Sequence, residues 1–442
     1  MASERQITHN STQNCALDGN HNFSPDGMWL AYDTRGEGGL QNTRTIEKVN
    51  VVTGERVVIY HAPDFVQGVG PGLAAVSYFR NRNEVIFIHG PFTTSGLPYE
   101  MTRRTGAVVV ADGSAANDPS RIMWADARDV TPPFTAGALR GGSHRHDPGG
   151  PDGRWIGFTY NDQIMKRYGL SIGRDLDLRT LGITELGRSV SVDADSLHEN
   201  RSGVGFSVII TKLFPKDELD QNPGTDNIYR ATDDQWVGRR GYRKADGTWQ
   251  IARAFIGAMR VRGTNGDVRD HNEVFIVDIP DDITKPGPGG PLQGTETTWP
   301  APPAGTIQRR LTHTESGCFG LVRSNSDGSM ISFMSRASNG KPQIFVISPS
   351  GNEMRQVTDF PNGVQQPACW LPDDRHIVTT SEGQIYVVNV ASGAAKAITE
   401  PGKGRTEAIV VSPDGKLVAF NRNVVYDGGR FAEVFVADVE LP

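Results

Sequence analysis

The sequence predicts an all-β chain closed into a seven-bladed β-propeller, and three observations carry that prediction. A pattern of short strands and Asp-Gly turns recurs at about 40-residue intervals, the length of one four-stranded blade. Copies of it end in a strand that closes on threonine. One such ending, RQIT at 5–8, stands alone before the first copy, while the last copy stops one strand short.

Four junctions show the pattern: RQIT leading to FSPDGMWLAYD (23–33), RRLT (309–312) to NSDGSMISFMS (325–335), RQVT (355–358) to LPDDRHIVTT (371–380), and KAIT (396–399) to SPDGKLVAFN (412–421). GGPDGRWIGFTYND (149–162) is a divergent fifth copy. Asp-Gly makes a tight hairpin because glycine takes the positive φ that such turns need. The strand after it is apolar or alternating, as a strand packed between sheets requires. A third strand follows, as in QIFVIS (343–348), QIYVVNV (384–390) and EVFVADV (433–439), then a turn such as SPSGNE (348–353) or VASGAA (390–395), then the threonine-ended fourth.

Counted this way, the blades fall near 23–62, 72–131, 143–190, 200–312, 319–358, 364–399 and 405–442. The orphan segment 4–9 is expected to complete the last blade and leave no open edge. The chain 1–442 thus reads as one propeller domain with insertions near 214–250 and 280–305, both in an overlong blade four. Two good strands there, RAFIGAMRV (253–261) and NEVFIVDI (272–279), make eight blades the alternative.

Composition narrows the partners. The net charge is −6 and no basic stripe stands out, so no nucleic-acid partner is expected. Cys15, Cys318 and Cys369 are far apart and form no CxxC pair, which indicates neither a disulfide framework nor a thiolate zinc site. The N-terminal MASERQITHNSTQNC has no apolar core, and no run of 18 apolar residues occurs, so a cytoplasmic protein without a membrane partner is expected. Phosphate-loop, Gly-x-Ser-x-Gly and His-Glu-x-x-His motifs are missing, which disfavours a nucleotide cofactor, a serine hydrolase and a zinc protease.

The threonine-ended strand and Ser-Pro-Asp-Gly turn resemble the blades of the TolB-like propeller superfamily, which hosts binders, peptidase propellers and lyases. More specific stretches are TIEKVNVVTGE (45–55), FIHGP (87–91), LRGGSHRH (139–146), FTYND (158–162), PGTDNIYRATDDQWVG (223–238) and GTETTWPAPPAGTIQRRLT (294–312). They resemble a bacterial propeller family known only as a domain of unknown function. A looser likeness is to oligogalacturonate lyases, in which a channel histidine shortly before a Pro-Asp-Gly turn is the base. His144 and His146 stand in that way before Pro151-Asp152-Gly153. That likeness also implies an arginine on the uronate carboxylate and a divalent metal, Mn or Ca, held largely by histidine. The rest of that family's ligand pattern is not recognisable here.

Innermost strands line a propeller's channel, and the positions just before the turns bring together His21 with Asn22, His144 with His146, Arg323, Gln365 with Gln366, and Glu407. His89, ending the strand EVIFIHG, is placed at the same mouth. Two histidines at i and i+2 on an extended strand share a face, so His144 and His146 are candidate metal ligands or a base and a ligand. A hydrogen-bonded loop pair is the bland alternative. Arg140 and Arg323 are candidate anion clamps, against interblade salt bridges. Gly141 and Gly142 would let a ligand approach the backbone. Tyr160 reads as core packing more than as a substrate contact, and Gln365, Gln366 and Glu407 read as channel walls unless a ligand meets them. Asp226 and Trp236, placed in the blade-four insertion, and Trp299 are a sugar-stacking lip or buried anchors.

The function these residues point to is β-elimination on an acidic, uronate-containing oligosaccharide. A histidine would take the proton α to the carboxylate, and Arg140 and Arg323 would steady the enolate-like charge. The alternative is a non-catalytic propeller that binds a protein partner or small ligand.

Overall fold

A computed structural model describes residues 4–36, 38–196, 198–351 and 354–442. Seven antiparallel sheets surround one axis, six of them four-stranded. Blade one holds Trp29–Asp33, Thr45–Asn50 and Arg56–His61, its inner edge reduced to a bridge between Phe23 and Leu30. Blade two runs from Leu73–Tyr78 to Met123–Trp124, and blade three from Gly141–Gly149 to Gly203–Ile209. Blade four spans Arg230–Trp236 to Ile307–Arg310, blade five Cys318–Ser324 to Arg355–Gln356, and blade six Cys369–Trp370 to Ala395–Ala397. Blade seven begins at Glu407–Val411 and closes with Arg5–Gln6 paired against Phe435 and Val436. The N-terminal segment is the outer strand of the last blade, as expected.

One blade boundary and one supposed insertion differ from the sequence reading. Gly203–Ile209 pairs with Arg179–Val190 and so belongs to blade three, not four. The two strong strands at 253–261 and 272–279 are the middle pair of blade four, Ala252–Arg262 and Val268–Asp278, so there is no eighth blade. The supposed insertion at 214–250 contains blade four's inner strand, together with the short helix Lys216–Gln221 and the hairpin Tyr242–Arg243/Trp249–Gln250. The Gly/Pro-rich stretch near 280–305 is a loop between the third and fourth strands. An unforeseen helix, Gln163–Ile172, follows blade three's second strand, capped by the Asp162 side chain at Met165 N–H. The SPSGNE turn ends on Asn352 and Glu353, which lie outside the described residues.

The repeated threonine has a physical role. Thr8, Thr312, Thr358 and Thr399 each accept, through Oγ1, the N–H of a third-strand residue: Val434, Val274, Ile344 and Ile385. Three of these hydroxyls also donate to the residue before that N–H, Glu433, Glu273 or Gln343. The hydroxyl thus ties the outer strand to its neighbour where backbone pairing ends. Thr211, after blade three's outer strand, does the same for Leu181 N–H, so SVIIT (207–211) is a further copy of the motif.

Between blades the sheet faces close over buried apolar clusters. Tyr60, Phe87 and Val109 fill the space between blades one and two, and Phe255, Phe275 and Trp155 that between three and four. Each fully buried large side chain contributes on the order of 2 kcal/mol.

Candidate active site

The inner strands are not straight. Register shifts interrupt them in blade two between Ala74 and Ser77, blade three between His144 and Asp147, and blade four between Thr232 and Gln235. The same break recurs in blade five between Phe319 and Arg323 and in blade seven between Glu407 and Val410. Within each break one residue is left-handed: Ala75 (φ 56°), Arg145 (49°), Asp233 (56°), Gly320 (74°) and Ala408 (52°). A bulge adds a residue to one strand only and re-aims the side chains beyond it.

At Arg145 this overturns the expected histidine pair. Ser143 pairs with Tyr160, next to Asn161, so Ser143 and Asn161 lie on opposite faces of the sheet. His144 Nε2 is 3.3 Å from Asn161 Oδ1, and His146 Nε2 is 2.9 Å from Ser143 Oγ. The two imidazoles therefore do not share a face. Both are buried, at 3% and 1% exposure. Burial holds His146 down at about 4, and burial with Arg179 and Arg104 holds His144 well below the usual histidine range.

Other candidates are also enclosed. Arg140 is 1% exposed, donates from Nε to Asp162 Oδ2 at 2.8 Å, and ties down the Pro-rich loop through the carbonyls of Thr295 and Thr298. Tyr160 donates to the same Asp162 oxygen and is core, while His89 sits among Tyr60, Phe92 and Trp124, held at about 4 by burial. Gly141 and Gly142 admit protein backbone: a Cβ there would fall 2.1 Å from Asn161 O and 1.9 Å from Met101 O. At the other end of the inner strands, Glu407 is exposed and paired with Arg405, and exposed Gln365 accepts Gly383 N–H. Gln366 accepts the Thr379 hydroxyl through its carbonyl. Asp226 pairs with Arg310 at 3.2 Å, and Trp299 is half-buried.

The remaining candidates, His21, Arg323 and Trp236, line an axial cavity of about 670 Å³ at the turn end of the inner strands, to which all seven blades contribute. Its size suits a small ligand. Four arginines enter it: Arg80, Arg239, Arg240 and Arg323. The one acidic side chain among its described lining residues, Asp152, is engaged with Arg154. Neither Arg239 nor Arg240 has an ion pair or side-chain hydrogen bond among the described residues. Desolvation in the cavity and the nearby Arg239 lower the proton affinity of Arg80, and Asp147 raises it. Arg323 donates to Gly19 O, and its Nε is buried without a partner. A chain with net charge −6 thus concentrates positive charge on its axis.

His21 stands beside these arginines on a fixed support. Its Nε2 is 3.1 Å from Asp147 Oδ1 and 3.2 Å from Arg80 Nη2, Nδ1 has no protein partner among the described residues, and the side chain is 19% exposed. Burial, then Arg80, lowers its proton affinity against the pull of Asp147, so the imidazole is neutral at neutral pH. Burial alone would raise Asp147, but Arg253, His21 and Arg80 hold it well below the carboxylate range. Trp236 is 3% exposed and donates from Nε1 to Asp147 O at 2.8 Å, making it an anchor within blade four's inner strand.

Sequence reading missed Arg80, Arg239, Arg240 and Arg253. Blade two has no Ser-Pro-Asp-Gly turn, yet Phe79 N–H bonds Glu84 O as Ser24 N–H bonds Trp29 O. Aligning blades by that bond would have placed Arg80 beside Pro25.

Residues 72–200 match the family described as a protein of unknown function (DUF3748). The uncharacterized protein YidR of Escherichia coli K12 is 34% identical over 430 residues, covering 94% of each chain. Among solved structures, an oligogalacturonate lyase in complex with manganese aligns over 99% of this chain and 93% of its own, with TM-score 0.54 and 13% identity. The oligogalacturonate lyase of Vibrio parahaemolyticus aligns over the same shares with TM-score 0.53 and 11% identity. These two likenesses show the propeller fold. As for a divalent ion, His144 and His146 face opposite ways, and no group of three His, Cys, Asp or Glu side chains that could hold a metal occurs among the described residues. The proposed pair does not fit a metal. No described helix is long and apolar enough to cross a membrane.

Proposed function

The chain belongs to the family of YidR and the DUF3748 proteins, and from that premise we propose that it is a lyase that β-eliminates an acidic, uronate-containing oligosaccharide in its axial cavity. The single observation behind this reading is a histidine, braced by Asp147, beside four cavity arginines that make no ion pair among the described residues. β-Elimination needs a base and positive charge in that combination. His21 Nδ1 takes the proton on the carbon α to the carboxylate. Arg323 and Arg80 hold that carboxylate and the negative charge that develops on it. The new C=C bond forms as the C–O bond to the leaving sugar breaks, and the departing oxygen takes a proton from solvent. The fold likeness to two oligogalacturonate lyases supports the substrate class.

The test follows ultraviolet absorbance of the new conjugated double bond over a panel of uronate oligosaccharides. Absorbance should rise with the wild type and fall at least about 100-fold in rate for His21→Gln, the usual scale of general-base loss. Retained binding in that variant would confirm that the base alone was removed. A flat trace with every substrate, with anion binding retained, would replace the lyase with a non-catalytic anion-binding propeller.

A further inference from the structure

Behind His21 lies a buried charged chain that crosses three blades. Asp147 of blade three presents Oδ1 to His21 of blade one and Oδ2 to Arg253 of blade four, whose Nη1 is 3.1 Å away as an ion pair. Arg253 is 0% exposed and turns its other edge to Asp234, with Nε 2.9 Å from Oδ2 and Nη2 on the same oxygen. Its guanidinium carbon lies 4.7 Å from the Trp236 ring centroid, and that indole holds the Asp147 carbonyl. The space for it is made by Gly157, where a Cβ would sit 1.7 Å from Arg253 Nη1. Asp147 Oδ2 and Arg253 Nη1 face each other without a hydrogen bond, so the link between them is electrostatic, and a buried arginine so placed is costly unless its charge is compensated on both sides.

We propose that Arg253 is a positioning residue: clamped by Asp234, it fixes the Asp147 carboxylate, and Asp147 in turn fixes the orientation and proton affinity of His21. This rests on the reading of His21 as the base. Charged groups facing His21 are Asp147, Arg80 and Arg323, with Arg253 and Asp234 beyond. If the chain transmits charge, its two far members act in opposite directions. Removing Arg253 frees Asp147 to pair with imidazolium and removes a cation. Neutralising Asp234 leaves the Arg253 charge uncompensated and turned toward Asp147.

The experiment is a pH titration of the His21 imidazole by NMR on histidine-labelled full chain, with the signal assigned by its loss in His21→Gln. This readout needs no substrate, so its failure is separate from failure of the lyase assay. Arg253→Met should raise His21 proton affinity by roughly tenfold, Asp234→Asn should lower it several-fold, and Arg253→Lys should stay near the wild type. If Arg253→Met does not fold, the Asp234→Asn variant and Arg253→Lys still decide the matter. A His21 titration that is unmoved in folded Asp234→Asn, or that moves the same way in it as in Arg253→Met, would overturn the proposal.

Discussion

His89 and His146 illustrate how burial, more than chemistry, sets the behaviour of most histidines considered as site residues. Both are neutral in the folded chain with proton affinity lowered to about 4. An unfolded histidine titrates near 6.5, so between those values the unfolded state binds more protons. Their contribution to stability is therefore whole above about pH 6.5, erodes as pH falls, and is gone by about pH 4. The loss is on the order of 3 kcal/mol for each. Urea midpoints measured from pH 7.5 to 4.5 should fall steadily below pH 6.5, and a flat profile would show that these rings are not buried. His21 differs because its cavity and its Asp147 partner leave one nitrogen free for a ligand.

At the level of the strand, the closing threonine and the inner-strand bulge do the organising. Thr358 Oγ1 accepts Ile344 N–H at 2.9 Å and donates to Gln343 Oε1 at 2.7 Å. Thr358→Val keeps the shape and leaves that buried N–H unsatisfied, so it should cost about 1–3 kcal/mol in urea unfolding. The bulge at Arg145 is equally specific. A β-branched residue resists a φ of 49°, so Arg145→Ile should destabilise by about 1–3 kcal/mol and weaken anion binding by turning Asp147 away from His21. Isothermal titration with a uronate oligosaccharide, beside a thermal melt, separates the two effects. Unchanged binding in that variant would mean the bulge does not aim the site.

For the whole molecule, the ring depends on its ends meeting. Thr8 and Asn10 supply two of the donors to Glu433, which is 0% exposed, and Glu4 pairs with Arg422. Deleting residues 1–10 uncovers the edge at Phe435 and Val436 and strips Glu433 of those partners. A buried charge left short of partners costs about 3–5 kcal/mol, so in a chain of this length the melting midpoint should drop by roughly 3–5 °C. Adding a peptide of residues 1–12 should recover part of it. A melt equal to that of the full chain would show that the seventh blade does not need its N-terminal strand.

Blade count, the closing strand and the turn chemistry were determined by the sequence alone, because they depend on local periodicity and on φ preferences that repeat from copy to copy. The boundary between blades three and four was also legible in SVIIT, had that ending been matched to the others. What only the tertiary structure decided is which polar residues meet. His144 and His146 are two apart, yet one left-handed residue between them sends them to opposite faces, and strict alternation cannot anticipate an added residue. Arg140 and Arg323 look alike as isolated arginines, but one is spent on a loop and the other opens on the axis. Arg253 and Asp234 lie about a hundred residues from Asp147 and more than two hundred from His21. Their convergence follows from the order of blades around a closed ring, a long-range geometry that no short segment carries.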